Sequence, residues 1–317
     1  MISLAEIESA AELVYSCFPP TPQYAWPLLA EACGCTVWVK HENDTPIGAF
    51  KVRGGLVYME ALRREHPEVR GVITATRGNH GQSVGYAARK YGVRATIVVP
   101  RENSVEKNAA MRALGVELVE VGHDFSAAYE EAVRLAAARG LHLMRSFHPL
   151  LVRGVATYGL ELFRAVPALD TVYVPIGLGS GICGVIAARN ALGLDTTIVG
   201  VVAERADAYA RSFEQRELRH TSTADTFADG LAVRNPDPEA LAVMYHGVSR
   251  IVRVSEADMR HAIQLYFTAT HQVAEGAGAA ALAALIREKA LQQGKQVGVV
   301  LSGANIDRDL YRRILAD

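Results

Sequence analysis

Val172-Tyr173-Val174-Pro175-Ile176-Gly177-Leu178-Gly179-Ser180-Gly181 reads as a buried strand that runs straight into a glycine-rich turn. Its first five residues carry no charge, as a strand covered on both faces requires. Two other stretches repeat the design. Val72-Ile73-Thr74-Ala75-Thr76 leads into Arg77-Gly78-Asn79-His80-Gly81, and Val299-Val300-Leu301 leads into Ser302-Gly303-Ala304-Asn305. Working outward, short β-branched runs at 36–40, 72–76, 96–99, 117–121, 171–176, 198–203, 251–254 and 297–301 read as strands. Amphipathic or alanine-rich stretches at 82–91, 104–114, 125–139, 155–166 and 276–293 read as helices between them. This alternation predicts an α/β fold of parallel-rich, twisted sheets covered by helices. Ligands then lie at the C-terminal ends of strands, which is where the three polar turns fall.

Composition narrows the function. At 317 residues the chain is long enough for two lobes. Half of it is hydrophobic, 21% is charged and the formal net charge is -1, so no basic surface attracts nucleic acid or an anionic membrane. No apolar run approaches the ~20 residues of a membrane helix. Residues 1–16 carry Glu6, Glu8 and Glu12 and lack the basic start of a signal peptide, so a cytoplasmic protein is expected. The four cysteines, at 17, 33, 35 and 183, have neither Cys-x-x-Cys spacing nor a paired histidine motif. Reduced core thiols are the expectation.

Each motif admits two readings on its own. Glycines at 177, 179 and 181 let backbone N–H groups converge on an anion at a helix N-terminus, which suits a phosphate, or they simply turn the chain. No Gly-Lys-Ser/Thr follows, so this is not a P-loop. Lys51 sits in Gly48-Ala49-Phe50-Lys51-Val52-Arg53-Gly54-Gly55. A lysine is ordinarily a solvated charge, but among small and apolar neighbours its neutral amine is favoured and can form a Schiff base. Asn79 and His80 read either as a turn that caps a helix or as donors to a carboxylate. Ser302 and Asn305 read as a helix cap near Asp307 or as ligand contacts. Glu275 reads as a first-turn helix carboxylate or as part of a site.

In order and spacing the set resembles the threonine/serine dehydratase family of pyridoxal-phosphate (PLP) enzymes, whose relatives include serine racemase and phenylserine dehydratase. The family pattern is Ser-Phe-Lys-x-Arg-Gly, Ser-x-Gly-Asn-His, a glycine-rich turn and Ser-Gly-Gly-Asn. Here stand Ala49-Phe50-Lys51-Val52-Arg53-Gly54, Thr76-Arg77-Gly78-Asn79-His80, Gly177-Leu178-Gly179-Ser180-Gly181 and Ser302-Gly303-Ala304-Asn305. His148-Pro149, Ala228-Asp229-Gly230 and Glu275-Gly276-Ala277-Gly278 look like the family too.

The resemblance implies a two-domain, fold type II enzyme similar to the tryptophan synthase β subunit. A small substrate-loop domain would span 71–148, and a large PLP-binding domain would comprise 1–70 and 149–317. Lys51 would carry the cofactor and then serve as base on the substrate Cα proton. Gly177, Leu178, Gly179, Ser180 and Gly181 would hold the phosphate through backbone amides. Asn79 would meet the ring hydroxyl, Phe50 would pack beside the ring, Ser302 would meet the pyridine nitrogen, and Glu275 would belong to the cofactor site. Thr76, Arg77, Gly78, Asn79 and His80 would receive the substrate carboxylate. The implied reaction turns a 3-hydroxy amino acid of the threonine/serine type into a 2-oxo acid and ammonia by β-elimination. Family members pair as dimers or tetramers, so a homodimer or homotetramer is expected.

Four departures bear on the details. Arg77 replaces a small residue, which disfavours racemisation and leaves three partners open: the substrate carboxylate, the second carboxylate of a 3-hydroxyaspartate-like substrate, or an acidic neighbour. Arg153-Gly154-Val155-Ala156-Thr157 replaces Ala-Gly-Gln-Gly-Thr. Loss of that glutamine suggests a more apolar cleft that admits a bulky side chain, such as that of 3-phenylserine. Glu204 matches one acid of the family's cation site, but Ala210 stands at the other, leaving no confident metal site. The chain ends fifteen residues after Ser302, so the regulatory C-terminal domain of some relatives is not expected. Outside catalysis, the competing reading is a phosphate-ligand binder with Lys51 as a mere counter-charge.

Overall fold

The computed structural model describes residues 2–317. The chain opens with α1 (Leu4–Tyr15), β1 (Gln23–Ala25), α2 (Pro27–Cys33), β2 (Thr36–His41) and α3 (Lys51–Glu65). Then follow β3 (Gly71–Ala75), α4 (Asn79–Tyr91), β4 (Arg94–Val99), α5 (Val105–Ala113), β5 (Glu117–Glu120), α6 (Phe125–Arg139) and β6 (His142–Leu143). The remainder comprises α7 (Pro149–Ala165), β7 (Thr171–Pro175), α8 (Ser180–Ala191), β8 (Thr197–Ala203), α9 (Ala208–Gln215), α10 (Pro238–Gly247), β9 (Arg250–Val254), α11 (Glu256–Thr270), α12 (Gly276–Arg287), β10 (Gln296–Leu301) and α13 (Arg308–Ala316).

The strands form two sheets. One has six strands in the order β1-β2-β10-β7-β8-β9, and the other has four in the order β5-β4-β3-β6. Every pairing is parallel except β1 on β2, which is antiparallel. The α/β class is therefore as the strand–helix alternation predicts. All eight expected strands are present within two residues of their expected ends. The short strands β1 and β6 add to them, because three and two residues are too few to carry a periodicity.

Close helix packing explains where the helices depart from the pattern. The interior of α3 contains Gly54-Gly55, which cost about 1 kcal/mol each relative to alanine. A Cβ on Gly54 would lie 2.8 Å from the Leu151 carbonyl oxygen, so the close approach of α3 to α7 requires the glycine. Helix α7 begins at Pro149, earlier than the apolar pattern suggests, because the His148 ring nitrogen accepts the Leu150 N–H and caps it. Helix α12 is buried almost all round by small side chains, as a core helix should be. It lies so close to the end of β10 that a Cβ on Gly278 would fall 2.2 Å from the Gly303 oxygen.

Four apolar clusters fill the layers. Two of them enclose the six-stranded sheet, one with α12 and one with α7 and α8. A third joins α1 and α3 to β3, β4 and α4, so the helix that begins at Lys51 is anchored against the four-stranded sheet. Cys33, Cys35 and Cys183 are buried and unpaired, and burial pushes the Cys33 thiol up to about 12. No helix among the described residues is long and apolar enough to cross a membrane.

Candidate active site

The glycine turn follows β7. Gly179 adopts φ +100°, where a side chain would be strained and its Cβ would meet the Ala240 Cβ at 2.6 Å. A Cβ on Gly177 would lie 2.5 Å from the Gly230 carbonyl oxygen. The turn then enters α8 at Ser180, which is buried. The amides of Gly177 through Gly181 find no acceptor among the described residues. A row of unpaired N–H groups at a helix N-terminus is an anion site.

Lys51 meets that turn from the other side. The loop before it is tied to the end of β10: the Phe50 N–H donates to the Ser302 carbonyl at 3.1 Å, and Ala49 bridges Gly303. The Lys51 amine donates to Ser180 Oγ at 3.0 Å and lies 4.9 Å from the Phe50 ring centre. Burial, offset by no carboxylate, lowers its pKa from 10.5 to about 8. The solvated-charge reading of Lys51 therefore fails.

The third turn follows β3. Thr76 Oγ1 accepts from the amides of Gly78 and Gly81, at 2.9 and 3.3 Å, and so does the capping work for α4. The amides of Asn79 and His80 find no acceptor among the described residues. Asn79 does not cap its helix. Its Nδ2 donates to Glu275 Oε1 at 2.6 Å, and its Oδ1 accepts from Asn305 Nδ2 at 2.8 Å. His80 is buried, its ring bonded to the Met144 backbone, and its Nε2 has no partner among the described residues. Burial, with help from the charge of Lys51, lowers its pKa to about 3, so the ring is neutral.

A chain of charges joins the two sheets around these turns. Glu275 is buried, which raises its carboxyl pKa. Lys107 of α5 lies 3.6 Å from Glu275 and 2.8 Å from Asp229. Arg77 reaches the other oxygen of Asp229 at 3.3 Å. Asp229 is thus the acidic neighbour foreseen as one of three partners for Arg77. Ser302 is buried at the end of β10, and its hydroxyl bonds to none of the described residues. Glu204 stands apart, exposed after β8, and no group of three metal-ligating side chains gathers among the described residues.

Sequence reasoning overlooked the polar residues beneath the site. Arg53 is fully buried and spans Glu42 and Glu161, with Nε to Glu42 at 2.7 Å and Nη1 to Glu161 at 2.6 Å. Lys40 reaches Glu161 at 2.6 Å. One signal was available: Lys40 follows the apolar run Val37-Trp38-Val39, and Glu42 stands two residues on.

Unpaired amides at a helix N-terminus, with a readily neutralised lysine at their mouth, suit an anion held beside a nucleophilic amine. The chain belongs to the family of pyridoxal-phosphate dependent enzymes, whose model matches residues 15–303. An L-threonine ammonia-lyase of Thermotoga maritima is 33% identical over 316 residues, covering 99% of this chain and 78% of that protein. The processed form of threonine deaminase isoform 2 from Solanum lycopersicum aligns with a TM-score of 0.92 at 29% identity, covering 99% of this chain and 86% of that one. Maize serine racemase aligns with a TM-score of 0.92 at 25% identity, covering 99% and 97%. The protein is thus a PLP-dependent enzyme of fold type II.

Proposed function

We propose that this enzyme converts a 3-hydroxy amino acid of the threonine/serine type into a 2-oxo acid and ammonia by β-elimination, with Lys51 as the residue that carries PLP. The observation that carries the proposal is the 3.0 Å contact of the Lys51 amine with Ser180 at the head of the unpaired amides. The ammonia-lyase activity named for the Thermotoga maritima relative supports the reaction type.

The residues fit the cofactor. The amides of 177–181 would take its phosphate, and Ser180 would sit between phosphate and lysine. Phe50 would flank the ring, and Asn79, Glu275 and Ser302 would meet its polar edges. When bound, PLP supplies the electron sink that makes the substrate Cα–H bond acidic. A pKa of about 8 raises the neutral fraction of Lys51 at pH 7 from about one in three thousand to about one in ten. That amine is then both nucleophile and base, and it takes the Cα proton. The free amides of Asn79 and His80, at the start of α4, would hold the substrate carboxylate. His80 is neutral, so the carboxylate is met by dipoles and not by an imidazolium. As the Cα proton leaves, the C3–O bond breaks, and the hydroxyl departs as water by taking the proton that Lys51 accepted. Hydrolysis then releases the 2-oxo acid and ammonia. The segment 71–148, with its own sheet, would close over the substrate as the small domain and exclude water.

For the substrate side chain, the geometry favours threonine over 3-phenylserine. Val155 and Ala156 are buried, and Val155 packs on α8 where a Cβ on Gly184 would meet it at 2.9 Å. Their apolar character is taken up by helix packing. Purified protein given PLP should absorb in the violet and release ammonia from threonine or serine faster than from 3-phenylserine. Lys51→Ala should keep the fold, lose the band and lower turnover by on the order of a thousandfold or more. A colourless wild type that PLP leaves unchanged would refute the proposal.

A further inference from the structure

The Lys51–Ser180 contact joins the first residues of two helices that lie far apart in sequence. What sets their separation is α7, which packs between them. On one side, a Cβ on Gly154 would lie 2.4 Å from the Arg53 carbonyl oxygen, so α3 rests directly on the α7 backbone. Thr157 accepts from Arg53 Nη1 at 3.0 Å, and Glu161 takes the same nitrogen at 2.6 Å. Arg53 is thereby locked to α7 two residues after Lys51. On the other side, a Cβ on Gly184 would lie 2.9 Å from the Ala156 nitrogen, so α8 rests on the same helix.

Tyr158, between these contacts, is fully buried. Its hydroxyl donates to the Gly181 carbonyl at 3.1 Å, and its ring stands edge-on to Phe50 with centres 6.0 Å apart. Gly181 lies in the first turn of α8. In a helix the carbonyls point toward the C-terminus and the N–H groups back toward the N-terminus. A donor on the Gly181 carbonyl therefore holds and polarises the peptide whose N–H, that of Ile182, points back toward the glycine turn.

We infer that Tyr158 is a positioning residue of the phosphate cradle: its hydroxyl on Gly181 fixes the first turn of α8 against α7. The inference rests on the proposal that PLP binds at this turn, and it assigns a residue that acts through the Gly181 peptide.

The test compares PLP with pyridoxal, which lacks the phosphate. Apo wild type and Tyr158→Phe are titrated with each, following the violet band and, separately, the urea midpoint of the apo protein. Phenylalanine keeps the ring and its contact with Phe50, so the variant folds. Losing one neutral hydrogen bond should weaken PLP about fivefold while pyridoxal affinity stays within about twofold of wild type. Equal weakening of both compounds, or unchanged PLP affinity, would assign Tyr158 to core packing alone and overturn the inference. A wild type that gains no violet band with PLP would instead overturn the cofactor assignment, and this inference with it.

Discussion

Lys40 and Lys51 are both withdrawn from water, yet their surroundings are opposite. The Lys40 amine meets Glu161 at 2.6 Å, the Thr21 carbonyl at 2.6 Å and Gln23 at 3.2 Å. With Arg53, Glu42 and Glu161 it makes a buried tetrad of two cations and two anions in which each charge has a partner. Lys51 has one neutral hydroxyl beside it and no carboxylate in salt-bridge range among the described residues. Burial lowers the pKa of both amines. At Lys40 the two carboxylates pull it back up, and at Lys51 nothing does. The same contrast separates the regions around them: every charge of the tetrad is paired, while in the cleft the turn amides and His80 Nε2 stand open. Closed polar networks hold the scaffold, and open ones are left for a ligand.

Breaking the closed side should have the larger effect on the fold. Glu161→Gln leaves Lys40 and Arg53 with one carboxylate between them and an uncompensated buried positive charge. That loss is worth about 3–5 kcal/mol and would be read as a lower urea midpoint. Lys51→Met, which removes a charge that has no partner, should leave stability unchanged or raise it. The contrast fails if Glu161→Gln costs less than about 1 kcal/mol, because the tetrad would then be hydrated.

The open side should respond to pH. With Lys51 as the proposed carrier, capture of the cofactor requires its neutral amine, so the capture rate of apo protein should rise about tenfold from pH 7 and level off above about 8. A stability effect follows with a definite sign. The folded pKa lies below the unfolded one, so between about 8 and 10.5 the unfolded chain binds more protons. The burial cost of Lys51 is therefore full below pH 8 and fades as pH rises toward 10.5. Wild-type apo protein should gain on Lys51→Met across that window. Capture that levels off only above pH 10 would show an ordinary lysine.

How much of this could be read from the sequence follows the same division. The open site announces itself through local motifs: residues 177–181 follow a strand, and glycine turns carry their geometry in their composition. Lys51, Asn79, Ser302 and Glu275 all lie where those motifs put them, at strand ends or helix starts. The closed network was illegible, because Glu42, Arg53 and Glu161 come from three separate elements and no periodicity links a buried charge to its partner. Tyr158 was hidden for another reason. On α7 it reads as one more apolar position, and only the approach of α8 gives its hydroxyl a target. Arg77 was half legible: its departure from the family pattern was plain, but its partner Asp229 lies on the other side of the cleft.

Arg77 lies between the two regimes and offers the smallest effect. Its pair with Asp229 is a third exposed on the arginine side, at 34%, and Asp229 is shared with Lys107. Partly exposed pairs of this kind are worth about 1 kcal/mol or less. As a tether between the sheets, it should change little when cut. Arg77→Ala should raise the KM for threonine less than about fivefold and leave the urea midpoint nearly unmoved, because Lys107 still holds Asp229. As a receptor for a second carboxylate, it would behave differently. Wild type would turn over 3-hydroxyaspartate readily, and the same substitution would raise KM for that substrate by more than about tenfold. Charge balance argues for the tether: Asp229 holds Nη1 of Arg77 while Nε stays unpaired, so an incoming carboxylate would share the guanidinium with Asp229 and be repelled by it. A tenfold loss confined to 3-hydroxyaspartate would therefore move Arg77 from the closed, paired side of the comparison to the open one.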